Sequence, residues 1–133
     1  MGERTEERIK IAGEAGKLIL DKFEPYISRI WIFGSVARGE DKEGSDIDIE
    51  VLLKNTGLPL DWNDVPFGYS GEITKIEKSF RKRGYIVNFD TRDYETFVTC
   101  IRKRRTGDYK RDFEVDVLRD KIELYNQRKA LGL

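Results

Sequence analysis

One segment joining two apolar runs most constrains how this chain can fold. It reads FGSVARGEDKEGSDID over residues 33–48, and a run of apolar residues lies on each side of it. Two short apolar runs separated by a connection rich in glycine and charge are typical of neighbouring β-strands. We predict strands over residues 28–33 and 46–53, with a short helix beginning near Val36 between them.

Two carboxylates share one face of the second predicted strand. Side chains alternate between faces along a strand, so Asp46 and Asp48 point the same way, about 6.5–7 Å apart along it. Like charges this close raise each other's pKa unless a cation lies between them. Oxygen ligands favour Mg²⁺ or Mn²⁺ over zinc. Glu50 shares this face, and we expect a solvated or salt-bridged side chain there rather than a base or a metal ligand.

The turn at the end of the first strand has the composition of a phosphate-binding turn. Exposed backbone N–H groups at Gly34 and Ser35, together with the serine hydroxyl, can surround a phosphate. Arg38 either reaches a phosphate or anchors the turn to a carboxylate. The spacing therefore predicts a metal on one face of the strand and phosphates in the turn beside it.

The composition excludes several classes of chemistry. The chain has no histidine, which removes Ser-His-Asp and Cys-His catalysis and imidazole zinc sites. Metal-assisted phosphoryl or nucleotidyl transfer needs only carboxylates, metal and hydroxyls. The lone Cys100 forms no internal disulfide, and no apolar leader or membrane span is evident, so we expect a cytoplasmic protein. The net charge of zero argues against non-specific nucleic-acid binding, although a local basic patch stays compatible with it.

The motif GSVARG followed by SDID resembles the signature of the polymerase-β-like nucleotidyltransferase superfamily. The short chain resembles its minimal nucleotidyltransferase (MNT) branch, which includes antitoxins paired with HEPN-domain toxins. The resemblance implies an α/β (α+β) fold: a single nucleotidyltransferase palm domain over residues 1–133. It would have a short mixed sheet, helices packed on one face and the carboxylates on the other. It also implies that the loop over residues 40–44 is exposed and that its acidic residues are not ligands.

The same resemblance implies an activity. It is Mg²⁺-dependent transfer of a nucleoside monophosphate, AMP from ATP, to an acceptor hydroxyl such as a Tyr of a HEPN-type partner. Asp46 and Asp48 with a third carboxylate would hold two Mg²⁺ ions, or Mn²⁺, while Gly34 and Ser35 hold the β- and γ-phosphates. One alternative is a weak or inactive module of the same fold that binds nucleotide or a partner. A lower alternative is transfer to a small molecule such as an aminoglycoside.

The position of the third carboxylate is open in the sequence. A third strand is predicted over residues 85–90, and the resemblance implies that it carries the remaining metal ligand. We favour Asp90 as that ligand. Asn88 lies on the same face two residues earlier, and if it takes the position the site has lost a carboxylate. Asp116 is a more distant candidate.

Apolar spacing predicts the remaining elements. Residues 55–69 read as an apolar loop. It either forms a wall of the nucleotide or acceptor pocket, with Trp62 stacking on a base, or, as we favour, plugs the edge of the core. The broad apolar stripe of the last helix predicts a homodimer or partner surface. The predicted helices cover residues 4–23, 70–83, 93–105 and 110–130.

Overall fold

A computed structural model of the protein describes residues 2–55, 57–105 and 120–132. Within those ranges, no helix has the length and apolarity that crossing a bilayer requires. A turn of 3₁₀-helix over Glu24–Tyr26 follows the first helix, where Pro25 ends the α-helical pattern. The other elements are α1 (Glu3–Phe23), β1 (Ile27–Phe33), α2 (Gly34–Arg38), β2 (Ile47–Leu53), α3 (Tyr69–Lys82), β3 (Val87–Asp93), α4 (Tyr94–Arg105), β4 (Ile122–Asn126) and α5 (Gln127–Ala130).

The four strands form one mixed sheet in the order β3-β2-β1-β4. β1 pairs antiparallel with both β2 and β4, and β2 pairs parallel with β3. The parallel pair requires a crossover, and α3 lies in that connection. This is the predicted mixed α/β architecture with a short sheet.

Alternation along β2 separates the core from the carboxylates. Ile47, Ile49 and Val51 are buried in the main hydrophobic core, which also includes side chains of α1 and α3. Asp48 and Glu50 occupy the alternate positions and so point to the opposite face. The prediction of helices on one face and carboxylates on the other is confirmed for α1 and α3.

A smaller apolar cluster packs α4 against the face of the sheet that carries the carboxylates. Trp31 of β1, Leu52 of β2 and Phe97 of α4 are buried together. The Trp31 and Phe97 rings meet edge to face, with centroids 5.3 Å apart. Phe33 at the end of β1 and Tyr94 of α4 pack against this cluster, so α4 lies on the same face of the sheet as Asp48 and Glu50.

The loop between α2 and β2 is bound to α1 through a buried carboxylate. The Asp41 side chain has no exposed surface, and its oxygens accept hydrogen bonds from the hydroxyl of Thr5 and, at 2.6 Å, from Nη1 of Arg8. The same Arg8 nitrogen donates to the carbonyl oxygen of Lys42 at 2.6 Å. The expectation that this loop is exposed is therefore wrong for the side chain of Asp41. We call Thr5, Arg8 and Asp41 the loop latch.

The loop after β2 projects its tryptophan into solvent. Oδ1 of Asp61 accepts hydrogen bonds from the backbone N–H groups of Asn63 and Val65, which closes a turn with Trp62 near its tip. Trp62 is 91% exposed and Phe67 is 67% exposed. Val65 packs against the core and Pro66 is buried, so the loop covers the core edge at these two residues, while the turn directs the Trp62 side chain outward.

The end of the chain differs from the predicted helix over residues 110–130. Residues 122–126 form β4, whose Ile122 pairs with Ile32 of β1. Ile122 and Leu124 alternate with polar residues and pack against the core, so the free edge of β1 selects a strand. Residues 122–126 are therefore a strand and do not provide the helical surface that the predicted homodimer requires. Residues 110–119, including Asp116, lie outside the described residues.

Candidate nucleotide and metal site

The turn predicted to bind phosphate closes directly on a carboxylate. β1 ends at Phe33, which pairs with Asp48 of β2, and the chain enters α2 at Gly34. Gly34 has a φ of +75°, and a Cβ atom there would lie 2.6 Å from Oδ2 of Asp48. Two independent features therefore require glycine at this position: the left-handed backbone and the close approach of Asp48.

We expect Gly34→Ala to destabilise the protein by about 2 kcal/mol or more, through the left-handed φ and through displacement of the Asp48 carboxylate. Gly44→Ala is the matched control, because Gly44 has a φ of +80° but nothing within 4 Å of its added Cβ. Urea denaturation measures the loss of stability in each variant, and the difference between the two losses is the contribution of the contact with Asp48. Equal losses of stability in the two variants would show that this contact is unimportant.

The two predicted carboxylates lie together, and an amide lies beside them. Asp46 comes immediately before β2 and is exposed, whereas Asp48 within β2 is half-buried. Nδ2 of Asn88 donates a hydrogen bond to Oδ2 of Asp46 at 2.7 Å. Asn88 is also the register partner of Asp48 across the β2–β3 pair. Burial raises the pKa of Asp48, and the Asp46 carboxylate raises it further, which outweighs the opposing Asn88 hydrogen bond.

Asp90 lies two register pairs further along the strands, opposite Glu50 and on the same face as Asn88. Its Oδ2 accepts a hydrogen bond from Nε of Arg92 at 3.1 Å. The same nitrogen lies 3.5 Å from Oε1 of Glu50, whose side chain has no exposed surface. The salt bridge expected for Glu50 is therefore present, but the residue is buried rather than solvated. Sequence reasoning missed Arg92, although its parity with Asp90 in the strand pattern could have indicated it.

Arg38 lies at the end of α2, beside the turn. Its Nε donates a hydrogen bond to Oε2 of Glu40 at 3.0 Å, and both side chains are exposed. In this structure the guanidinium anchors the turn to a carboxylate, which is one of the two expected roles. Its charge also reaches the site, since it lowers the pKa of Asp48 against the dominant effect of burial.

A separate open cleft of about 520 Å³ lies at the other end of the sheet. None of the predicted site residues lines it. Its walls come from the loop after β2 and from the last residues of β2 and β3, including Leu53, Asp64, Thr91 and Asp93. Arg92, which binds Asp90, also lines this cleft. Asp46 lies at the beginning of β2, about 20 Å along the strand from Leu53 at the cleft.

The donor atoms beside the turn fit a divalent cation. Asp46 and Asp48 offer carboxylate oxygens, and Asn88 offers an amide that hydrogen-bonds the first of them. Such oxygen donors suit Mg²⁺ or Mn²⁺. Over the residues that the structure describes, no three Asp, Glu, His or Cys side chains are grouped so that they could hold a metal. The expected set of three carboxylates is therefore not assembled there.

Comparison with known proteins identifies the family. The family model for "Polymerase beta, Nucleotidyltransferase" matches residues 17–129. The chain belongs to this nucleotidyltransferase family. Nucleotidyltransferases of this family generally use divalent metal ions, in agreement with the donor atoms at Asp46 and Asp48.

Two solved structures share the nucleotidyltransferase fold. A Sulfolobus solfataricus protein assigned as a nucleotidyltransferase is 21% identical, with a TM-score of 0.54 over 97% of this chain and 93% of that chain. A toxin–antitoxin structure with AMP-PNP is 19% identical, with a TM-score of 0.51 over 89% of this chain and 76% of that chain. Among curated proteins, no sequence matches this nucleotidyltransferase.

Proposed function

We propose that this chain transfers a nucleoside monophosphate, AMP from ATP, to a hydroxyl group of a protein partner. The observation that carries the proposal is the closure of the Gly34 turn on Asp48, with Asp46 beside it. A triphosphate in the turn would lie next to the cation that the two carboxylates would hold. The turn and the carboxylates therefore form one site for a metal–nucleotide complex.

Each residue has a defined role in this reaction. Asp46 and Asp48 would hold the divalent cation, which neutralises triphosphate charge and lowers the pKa of the acceptor hydroxyl. The N–H groups of Gly34 and Ser35 bind the β- and γ-phosphates. Arg38 is exposed and can exchange Glu40 for a phosphate oxygen. The acceptor oxygen bonds to the α-phosphorus, the α–β phosphoanhydride bond breaks, pyrophosphate leaves and the acceptor proton passes to water.

A protein acceptor is supported by one of the structural neighbours. The toxin–antitoxin structure that contains AMP-PNP combines this fold with an adenine nucleotide and a protein partner. We propose the corresponding arrangement here, with a tyrosine hydroxyl of a HEPN-type toxin as the acceptor. A tyrosine on a folded partner supplies its own positioning, so this chain needs no large acceptor pocket beside Asp48.

One observation favours a second candidate function. Asn88 occupies the register position opposite Asp48, where a carboxylate would complete a three-carboxylate site. A site with two carboxylates and an amide can bind a metal–nucleotide complex and yet transfer the nucleotide slowly. In that case the chain would act on its partner by binding it. A transfer assay with α-labelled ATP and the co-purified partner separates the two functions.

We expect ATP with Mg²⁺ to stabilise the purified protein against heat, and ATP or Mg²⁺ alone to do so less. A ligand at 100 times its Kd stabilises the folded state by about 2.7 kcal/mol, which is readily measured as a Tm shift. Asp46→Asn should abolish the shift, because it removes a cation ligand from an exposed position. Glu43→Gln, which neutralises an exposed carboxylate in the preceding loop, is the matched control. No Mg²⁺-dependent shift with any nucleoside triphosphate would contradict the proposed site.

A further inference from the structure

We infer that this site binds one divalent cation, at Asp46 and Asp48, and that the guanidinium of Arg92 takes the place of a second one. The inference rests on the proposed function, because it concerns the cation that accompanies the nucleotide. It assigns Arg92 as a positioning residue. It also assigns Asp90 to an ion-pair cluster with Glu50, rather than to the metal.

The register of the parallel strands decides which side chain completes the metal site. The Ile47 N–H donates to the carbonyl oxygen of Ile86 at 2.7 Å, and Ile47 pairs with Val87. This alignment places Asn88 against Asp48 and within 2.7 Å of Asp46. The side chain beside the two carboxylates is thus a neutral amide, whose N–H group faces Asp46 and which adds no charge to hold a second cation.

The next pair on the same face, two residues along the strands, already has a positive charge beside it. Glu50 and Asp90 face each other across the two strands, and Nε of Arg92 lies 3.5 Å from the first and 3.1 Å from the second. Glu50 has no exposed surface, so its charge requires a close cation. Arginine stays protonated at every relevant pH, so this cation is permanent.

Arg92 and a metal ion exclude each other at this cluster. A divalent cation bound to Asp90 would lie within a few ångströms of the guanidinium, and their repulsion would oppose binding. Moving Arg92 aside to admit the metal would take a guanidinium away from the buried Glu50, which costs stability. The cluster therefore holds Asp90 away from the nucleotide cation.

Mn²⁺ binding tests the inference without any assay of transfer. The wild-type chain should bind one Mn²⁺ in the presence of a non-hydrolysable ATP analogue, measured by electron paramagnetic resonance titration. Asp48→Asn should abolish this binding, whereas Asp90→Asn should leave the Mn²⁺ affinity unchanged. Asp90 is partly exposed, so its substitution by asparagine should not unfold the protein.

Asn88→Asp should raise the Mn²⁺ affinity at least about tenfold, because it adds a charged oxygen ligand beside Asp46 and Asp48. Asn63→Asp adds the same charge in the cleft at the opposite end of the sheet and should have no effect. Two Mn²⁺ ions on the wild-type chain, or a loss of affinity in Asp90→Asn, would overturn the inference while leaving the proposed function intact. No binding of Mn²⁺ or nucleotide at all would overturn both.

Discussion

Replacing Asp48 with asparagine is expected to lower nucleotide transfer about 10³-fold, a loss of about 4 kcal/mol of transition-state stabilisation. The substitution keeps the shape of the side chain and removes a charged ligand from the cation beside the Gly34 turn. The effect should appear in the rate constant of transfer from α-labelled ATP, measured at saturating Mg²⁺.

The same substitution should not destabilise the fold. Burial and the neighbouring Asp46 raise the pKa of Asp48, so the ionised carboxylate costs stability in the folded state at neutral pH. A neutral asparagine removes that cost, and the Tm without ligand should stay the same or rise. Asp21→Asn, at an exposed position of α1, is the control and should change neither transfer nor Tm. Wild-type transfer by a folded Asp48→Asn variant would refute the assigned role.

The local parts of the fold and the site are predictable from the sequence. Hydrophobic patterning is sufficient for α1, β1 and β2. α1 buries one face with helical spacing, and the two strands are short apolar runs that are largely buried on both faces. The turn at Gly34 and the carboxylates Asp46 and Asp48 lie within one short segment. Their proximity therefore depends only on the antiparallel pairing of β1 with β2, which brings Phe33 opposite Asp48.

The choice between Asn88 and Asp90 could not be made from the sequence. Both residues have the same parity in β3, so alternation places them on one face in either alignment. What separates them is the register of β3 against β2, a parallel pairing that is formed across the α3 crossover. A shift of two residues keeps every apolar side chain inside, so the apolar pattern does not select one register.

The sequence did not predict β4, because its apolar pattern fits both a helix and a strand. Val115, Leu118, Ile122 and Tyr125 have helical spacing, while Ile122 and Leu124 also alternate as in a strand. Pairing with the free edge of β1 favours the strand, and that edge lies about ninety residues earlier in the chain. The loop latch is likewise non-local, since Arg8 and Asp41 are 33 residues apart. Neither residue is distinguished from its charged neighbours in sequence.

Asp41→Asn is expected to lower the free energy of unfolding by about 3 kcal/mol, the largest loss of stability that we predict for a single polar substitution here. It leaves the Arg8 guanidinium, which is 11% exposed, without its carboxylate partner. The loop that leads into Asp46 would lose its attachment to α1. Urea denaturation measures the loss, and the exposed Glu43→Gln in the same loop should change the free energy by less than about 0.5 kcal/mol.

The contribution of Asp41 should also depend on pH in a defined direction. Burial raises the pKa of Asp41, but the hydrogen bonds from Thr5 and Arg8 outweigh it, so the pKa in the folded state lies below its usual value. A lowered pKa contributes stability that is complete above the unfolded-state value and is lost as the pH falls through the folded-state value. The difference in unfolding free energy between wild type and Asp41→Asn should stay constant from about pH 7 to pH 5 and shrink below about pH 4. If this difference in unfolding free energy is undiminished at about pH 2, packing and not the ionised carboxylate of Asp41 stabilises the loop latch.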